Sequence, residues 1–412
     1  MNRILAACTF FLCCCLFPFG AVPLSITARP PSFDLYCAPR SVRTFVLEVN
    51  NTNENRELEL KLSVESLSFD PDGNINFRTL EKDPEGVASW IQLPVTRVKL
   101  APQEDREIPL RLRVPPKIPT GGYYAAVIVE PAQDTAAPRT GLNVSVRLAS
   151  IVRITVRGQD PLRKDARVAS VEQITGPVDP EELTEAEVQG IRGKVAEAFP
   201  NTNGLFFIAK VENTGNIHVE TEGSILVRTG ERRRAGMAKF AAERGIVYPG
   251  SSRLFVAHFP YFLAEGDYIA EVRLGYGGAR PLIQKFPFTI RVARDGTDES
   301  GDIFSPLEII PKEIELSAVP GAFRTQKVLV FNRLREDLAL SVSARGALRE
   351  WIQFVQPVVP IKEAQEKNII FRVRVPRSAE PGDYAGMLVL EDAAAGIREE
   401  IPAVITLHSR TR

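Results

Sequence analysis

The sequence predicts an all-β chain of three β-sandwiches in series behind an exported leader. An internal repeat, runs of period-two hydrophobicity and an abundance of turn formers predict it. Trp90-Ile91-Gln92 recurs as Trp351-Ile352-Gln353, Leu112-Arg113-Val114-Pro115 as Val373-Arg374-Val375-Pro376, and Gly121-Gly122-Tyr123 as Gly382-Asp383-Tyr384. Tryptophan to proline is 25 residues in both copies and tryptophan to tyrosine 33, without a gap. Self-similarity of this kind marks one structural unit used twice. Leu58, Leu60, Leu62 and Val64 alternate with polar neighbours, as do Ile108, Leu110, Leu112 and Val114 and, with one slip, Ile370, Val373 and Val375. Period two puts one face in a core and the other in water. The 31 prolines and 28 glycines in 412 residues suit a loop-rich β chain better than a helical one.

A diverged third copy lies between the two. Gly266-Asp267-Tyr268 repeats the glycine-x-tyrosine element, after Pro260 closes the strand-like Leu254 to Phe259. Leu47-Glu48-Val49-Asn50, Lys210-Val211-Glu212-Asn213 and Val330-Phe331-Asn332 each end a β-rich stretch at an asparagine. Asn213-Thr214-Gly215-Asn216 is a turn written in residues that tolerate positive φ. The expected fold is therefore three tandem immunoglobulin-like β-sandwich domains, at residues 22–157, 167–294 and 303–412, the last repeating the first. The polar, turn-rich stretches Arg157 to Ala166 and Arg294 to Asp302 are the boundaries. Tyr123, Tyr268 and Tyr384 each follow a turn and open an apolar strand, the place of a tyrosine corner whose hydroxyl satisfies a backbone group. Trp90 and Trp351 are expected in the core.

One segment breaks the pattern. Asp179-Pro180-Glu181-Glu182 has helix-start residues, and Val188, Ile191, Val195 and Phe199 follow at helical spacing. Gly190 and Gly193 weaken a helix, so a short helix or ordered loop is expected near 179–200, inserted in the middle domain.

Asn2 and Arg3 followed by the apolar run Ile4 to Phe19 have the pattern of a secretory signal peptide, residues 1–21, cleaved near Ala21. The run is short for a membrane span, and no later stretch is apolar for long enough. Leu5-Ala6-Ala7-Cys8 has the look of a lipid-attachment box but precedes most of the apolar run instead of following it. The expected location is a bacterial periplasm or surface. Cys8, Cys13, Cys14 and Cys15 fall in the leader, which leaves Cys37 and no internal disulfide. Stability must then come from core packing.

Lys plus Arg equals Asp plus Glu at 51 each, which leaves no net field toward nucleic acid or an anionic membrane. Glu231-Arg232-Arg233-Arg234 fits a solvated hairpin tip. His218, His258 and His408 lie in different domains or far apart, which argues against a zinc site or a Ser-His-Asp triad. Gly275-Tyr276-Gly277-Gly278 lacks the helix that would aim amides at a phosphate. Asp70-Pro71-Asp72-Gly73-Asn74 with Glu81 has calcium-loop spacing, but Ile75 stands where that loop needs glycine, so a hairpin turn is expected. No enzyme, cofactor or metal is implied.

The segment Leu142 to Val156 is long for a strand. Leu142, Val144, Val146, Leu148, Val152, Ile154 and Val156 share one parity; Arg147, Arg153 and Arg157 share the other. It is either the last strand of the first sandwich running on toward the next domain, or a strand that lends its edge to an incomplete partner by β-augmentation. In the second case Val144, Val146, Leu148, Val152 and Ile154 are the apolar residues offered.

The order of elements in residues 22–157, ending in this long alternating strand with basic residues, resembles the amino-terminal domain of PapD-like periplasmic pilus chaperones. The resemblance implies a strand that completes a subunit's unfinished sandwich and two basic residues that anchor the subunit's carboxylate. Arg153 on the long strand and Arg29 near the first strand are the positions it implies. Those chaperones have two domains, whereas three are expected here. A sandwich with an Asp72-Gly73-Asn74 hairpin and a proline-ended strand, followed by one bearing Asn213-Thr214-Gly215-Asn216, is also similar in architecture to the extracellular part of WxL-interacting proteins of Gram-positive surfaces. That similarity implies binding of peptidoglycan and host ligands, although the terminal membrane helix and basic tail of those proteins are missing. The expected function is a chaperone or adaptor that holds exported β-rich subunits or other envelope proteins by strand-edge pairing. A structural or adhesive protein that binds cell-wall polysaccharide or a host ligand is the alternative.

Overall fold

The computed structural model describes residues 26–69, 74–132, 147–176, 183–184, 190–200, 202–241, 245–293 and 303–409. The leader, the turn from Asp70 to Gly73, Val144, Val146, the helix-start residues Asp179 to Glu182 and Val188 lie outside them. The fold is all-β. Two compact units divide the chain: Met1–Ser68 with Ile75–Pro161 holds nearly all of the first sandwich, and Phe69–Asn74 with Leu162–Arg412 holds the middle and third.

In the first sandwich the strands are β1 (Ile26–Arg29), β2 (Ser32–Cys37), β3 (Val42–Asn51), β4 (Leu58–Phe69), β5 (Ile75–Thr79), β6 (Ile91–Gln92), β7 (Arg97–Leu100), β8 (Asp105–Arg113), β9 (Gly121–Pro131) and β10 (Leu148–Val156). One sheet runs β1-β3-β8-β6; the other runs β2-β10-β9-β4-β5, with β7 also on β4. The first strand changes sheets at Pro30-Pro31: β1 pairs with β3, while β2 lies parallel to β10. Proline at the switch suits the break, because it donates no ladder bond.

The middle sandwich has β11 (Ala166–Gly176), β12 (Gly204–Asn213), β13 (Val219–Thr229), β14 (Arg234–Lys239), β15 (Gly245–Val247), β16 (Ser252–Phe259), β17 (Gly266–Gly275), β18 (Leu282–Val292) and β19 (Ile303–Phe304). Its sheets are β11-β12-β16 and β14-β13-β17-β18-β19, with β15 on β13. The helix α1 (Ile191–Ala198) starts after Gly190, inside the stretch 179–200 where a short helix or ordered loop is expected, and Asp179 itself lies outside the described residues. Glycine is tolerated at an N-cap, which is why it marks the start instead of weakening the helix. Val195 and Ala196 bury against Phe206, Ile208 and Val256 on the outer face of β12 and β16.

The third sandwich has β20 (Leu307–Ile310), β21 (Ile314–Ala318), β22 (Phe323–Asn332), β23 (Leu338–Gly346), β24 (Ile352–Phe354), β25 (Val358–Ile361), β26 (Glu366–Arg374), β27 (Gly382–Asp392) and β28 (Ile397–Leu407). Its sheets, β20-β22-β26-β24 and β21-β28-β27-β23-β25, repeat the order of the first sandwich, and the first strand again changes sheets at a proline, Pro311. The repeated tryptophans occupy matching places. Trp90 packs on Tyr123 with ring centroids 4.9 Å apart and Trp351 on Tyr384 at 4.4 Å, both in the core.

The alternating rows point inward as period two requires: Leu60, Leu62 and Val64 on β4, and Ile108, Leu110 and Leu112 on β8 with Val114 just beyond it, are all buried. The slip in the third copy resolves differently from the sequence pattern. Ile369, Phe371, Val373 and Val375 face the core while Ile370 is exposed, because Phe371 and not Ile370 keeps the parity. The basic run Glu231 to Arg234 is an exposed hairpin tip between β13 and β14, with the Thr229 N–H donating to the Arg233 carbonyl.

Three tyrosine corners close the three sandwiches. The hydroxyls of Tyr123, Tyr268 and Tyr384 donate to the carbonyls of Pro119, Ala264 and Glu380 at 2.8, 2.9 and 3.0 Å. Gly266 and Gly382, two residues ahead of their tyrosines, sit at φ of 135° and 147°, a conformation that L side chains resist.

A second shared device is a buried asparagine at the end of β3, β12 and β22. In the first sandwich it is Asn51 and not Asn50, since inward parity runs Leu47, Val49, Asn51. The Asn51 amide donates to the carbonyls of Arg56, Leu100 and Ala101, at 2.8, 3.2 and 2.9 Å. Asn213 donates to Ile217 and Val247, and Asn332 to Glu336 and Lys362. The side-chain oxygen of each accepts the N–H two residues on, from Asn53, Gly215 and Leu334. One side chain thus shapes the turn and satisfies buried carbonyls of two loops.

Within the second unit, Arg333 joins the middle and third sandwiches. Its side chain is 7% exposed and pairs with Glu308. It also donates to the Leu263 carbonyl at 2.8 Å, and its guanidinium carbon lies 4.7 Å from the Phe304 ring centroid. The Glu265 N–H donates to the Arg333 carbonyl at 2.7 Å, and Phe262 stacks on Phe331 at 5.2 Å. Burial pulls the guanidinium toward its neutral form and Glu308 opposes it. The ion pair therefore keeps the charge in place.

Two stability outcomes follow. Asn51→Asp keeps the volume but turns an amide donor into an oxygen facing carbonyls, and is expected to cost about 2–3 kcal/mol, seen in urea unfolding as a lower midpoint with unchanged slope. Arg333→Ala leaves Glu308 to the more exposed Lys312, 3.3 Å away, and the Leu263 carbonyl without this donor, and is expected to cost about 2–3 kcal/mol. Calorimetry should show that loss in the transition of the second unit, with the first unit's transition unmoved.

Candidate partner-binding edge

The candidate site is the last strand of the first sandwich. Strand β10 pairs antiparallel with β9 along its whole length, from Leu148↔Val129 to Val156↔Gly121. On its other side β2 joins only at Ile151↔Ser32 and continues to Val156↔Cys37. Leu148, Ala149 and Ser150 therefore have a strand on the β9 side alone, among the described residues. The donors on the outer side come from odd-numbered residues: the Ile151 N–H reaches the Pro31 carbonyl at 3.0 Å and the Arg157 N–H the Cys37 carbonyl at 2.9 Å. By the two-residue repeat of a strand, the Ala149 N–H points the same way. Ser150 Oγ, next along, donates to the Pro30 carbonyl at the sheet switch.

The side chains of this strand have separate fates. Val152 and Ile154 are fully buried and belong to the core that Cys37, Leu47 and Val127 also build. Each such aliphatic side chain contributes about 1.5–3 kcal/mol to its own sandwich, so neither is available as an apolar contact for a partner. Leu148 is partly buried against the same core. Val144 and Val146, expected in the same row, lie outside the described residues.

Arg153 faces away from the core and is held by β2. Its Nε donates to Asp34 Oδ1 at 2.6 Å, and its terminal nitrogen to Asp34 Oδ2 at 2.8 Å and to Ser32 Oγ at 3.1 Å. Arg153 and Asp34 are directly opposite in the parallel pair, and the arginine side chain is 12% exposed. A two-point pair of this kind is strong and geometrically exacting, so an incoming carboxylate has to compete with Asp34. Asp34 was not legible as a site residue, since its partner is 119 positions away; the only signal was an acid inside the alternating run Ser32 to Cys37. Arg29 is exposed at the end of β1, just before the switch, and makes no ion pair among the described residues. Arg147, at the head of β10, pairs with Glu65 at 2.6 Å and Glu130 at 3.4 Å.

Elsewhere the chemistry is sparse. A concavity of about 510 Å³ in the second unit is lined by residues including Pro260, Tyr261, Phe262, Phe331 and Glu366, the last being the only ionisable carboxylate there. His258 Nε2 lies 3.0 Å from the Asn203 carbonyl and packs beside Phe199 and Phe206. No group of three or more His, Cys, Asp or Glu among the described residues is placed to hold a metal ion. No described helix is long and apolar enough to cross a membrane.

No protein-family model matches the chain, and no curated protein matches it. Among solved structures it is similar to PapD-like fimbrial chaperones. The class 5 fimbriae chaperone CfaA is 14% identical, over 63% of this chain and 98% of that one, with a TM-score of 0.34. The CsuC–CsuE chaperone–tip adhesion subunit complex of Acinetobacter baumannii matches at 12% identity, over 63% and 97%, with a TM-score of 0.30. A protein of unknown function from Porphyromonas gingivalis W83 matches over 93% of this chain and 100% of its own length, at 11% identity and a TM-score of 0.22.

Proposed function

We propose that the protein is a non-catalytic exported chaperone or adaptor that holds β-rich envelope subunits by strand-edge pairing at β10. The open outer edge at Leu148, Ala149 and Ser150, ahead of the point where β2 joins, carries this reading. An extended segment of a partner that aligns there meets backbone donors and acceptors that no described strand of this chain covers. Arg29 is the exposed cation beside the sheet switch, whereas Arg153 is engaged by Asp34. In this reading Arg29 is the anchor for a partner's carboxylate, and Arg153 acts by fixing β2 against β10.

The test is capture of secreted subunits from envelope extracts by cross-linking. Ala149→Pro removes the outward N–H without touching the β9 ladder, and Arg29→Glu reverses the exposed charge. Each is expected to lower capture at least tenfold, with thermal unfolding within about 0.5 kcal/mol of the parent. Undiminished capture by both variants, or co-sedimentation with purified wall polymer that neither variant changes, would replace this function with wall or host-ligand binding.

A further inference from the structure

Among the described residues, the middle sandwich shows no counterpart of a strand that the other two possess. Gly121, Gly266 and Gly382 open β9, β17 and β27, and pair with Val156, Ile290 and Leu407 on the adjoining last strands. That alignment makes Phe286, Phe288 and Ile290 of β18 the counterparts of Val152, Ile154 and Val156 of β10 and of Ala403, Ile405 and Leu407 of β28. Thr289 and Thr406 confirm it, each donating to the aspartate opposite, Asp267 and Asp383, at 2.7 Å.

In the outer sandwiches a parallel strand covers this row. Phe33, Leu35 and Cys37 of β2 stand opposite Val152, Ile154 and Val156, and Ile314, Leu316 and Ala318 of β21 stand opposite Ala403, Ile405 and Leu407. Under that cover the three β10 residues are 0% exposed and the three β28 residues 1–2%. On β18 the parallel neighbour is β19, which touches only Arg291 and Val292. Upstream, Leu282 to Ile290 pair with β17 alone among the described residues, and Phe286 and Phe288 remain partly exposed.

The cause is visible in the chain. Strand β11 contains no proline and never changes sheets; it passes a bulge between Val168 and Ser170 and stays on β12 throughout. At that bulge Gln284 fastens β18 to β11, its oxygen accepting the Val168 N–H at 2.7 Å and its amide donating to the Val168 carbonyl at 3.3 Å. The sandwich is closed at that point, and beyond it no described strand covers the row.

We propose that the bare edge of β18 binds an extended segment of a partner protein, running parallel to β18 and upstream of the two residues that β19 already places there. The occupants of the same position in the other two sandwiches give its chemistry. It presents three apolar side chains at alternate positions that shrink along the strand, as Phe-x-Leu-x-Cys and Ile-x-Leu-x-Ala do. Polar or acidic residues lie between, as Asp34 and Glu315 do in β2 and β21; in this register those two positions fall opposite Pro287, and the residue two places earlier, Ser32 or Glu313, falls opposite Lys285, which faces Glu271 across the β17 pair. Outward donors sit on odd residues, as in β10: the Ala293 N–H reaches the Phe304 carbonyl at 3.1 Å, as the His408 N–H reaches the Ala318 carbonyl at 3.0 Å in the third sandwich. Lys285 and Thr289 keep such donors, while Pro287 lacks one, which weakens the ladder and throws selectivity onto the side-chain slots. A second copy of this chain fits less well, because two-fold pairing of edges is antiparallel and β19 blocks one end of the row. This site is separate from β10 and stands or falls on its own.

The probe is a synthetic peptide of residues 312–319, Lys-Glu-Ile-Glu-Leu-Ser-Ala-Val, added to the full chain. Exchange of the outward amides of Ile283, Lys285 and Thr289 is expected to slow at least tenfold with the peptide and not with a scrambled one. Lys285→Pro, which removes another outward donor and no β17 bond, is expected to weaken peptide binding at least tenfold without moving the melting temperature. Ala149→Pro in β10 should leave binding unchanged. Slow exchange of those outward amides in the free monomer, protection that tracks protein concentration instead of peptide, protection confined to 403–408, or full binding by Lys285→Pro would each overturn the proposal.

Discussion

A last strand in a sandwich has two rows of backbone polar groups, and only one of them meets the preceding strand. The other row has to be paired, hydrated or blunted. Much of this molecule follows from how that constraint is met. In the first and third sandwiches a proline breaks the first strand, and its second half crosses to the opposite sheet to lie parallel to β10 or β28. In the middle sandwich the first strand stays on β12, and the corresponding edge carries Lys285 and Pro287 on β18, which pairs with β17 and, among the described residues, has β19 on its other side only at Arg291 and Val292. Among the described residues, the two sandwiches whose first strand breaks at a proline are the two with a parallel strand along the last one.

Around those edges the three sandwiches share a rigid frame. Buried asparagines tie the end of one strand to two loops, and corner tyrosines tie the entry of another to the chain four residues back. Both devices satisfy backbone groups that the turns leave without ladder partners, where a buried unpaired carbonyl or amide is costly. They leave the outward faces and the edges to vary, and that is where the copies differ.

Ion pairs act here mainly as positioning elements. Asp34 and Arg153 sit opposite each other on β2 and β10 and favour the in-register parallel pairing. Arg333 and Glu308 fix the junction of the middle and third sandwiches, with the Leu263 carbonyl as a further acceptor. With one side chain of each pair mostly buried, loss of a partner leaves a charge without compensation, so such contacts resist relaxation into alternatives. An arginine placed on an edge strand is therefore not by itself an anchor for an incoming group; its existing partner has first claim.

Much of the frame was legible in the chain. The Trp-Pro-Tyr spacing, the glycine-x-tyrosine corners and the period-two rows are local signals, and local geometry alone dictates what they build. The inward asparagine was misplaced by one in the first copy because Asn50 and Asn51 are adjacent and only the pairing of β3 with β8 shows which faces the core. A short helix or ordered loop was expected near 179–200, and the described part of that stretch holds a helix from Ile191 to Ala198 whose Val195 and Ala196 pack on β12 and β16. The described part of the long strand, Leu148 to Val156, alternates as expected, but what covers Val152, Ile154 and Arg153 is β2, a segment more than a hundred residues away in sequence. Sequence by itself determined which residues alternate, turn and repeat, because those depend on near neighbours along the backbone. Only tertiary structure decided which edges are covered and which charges are already paired, because both depend on strands that meet across distances the pattern of a single chain does not encode.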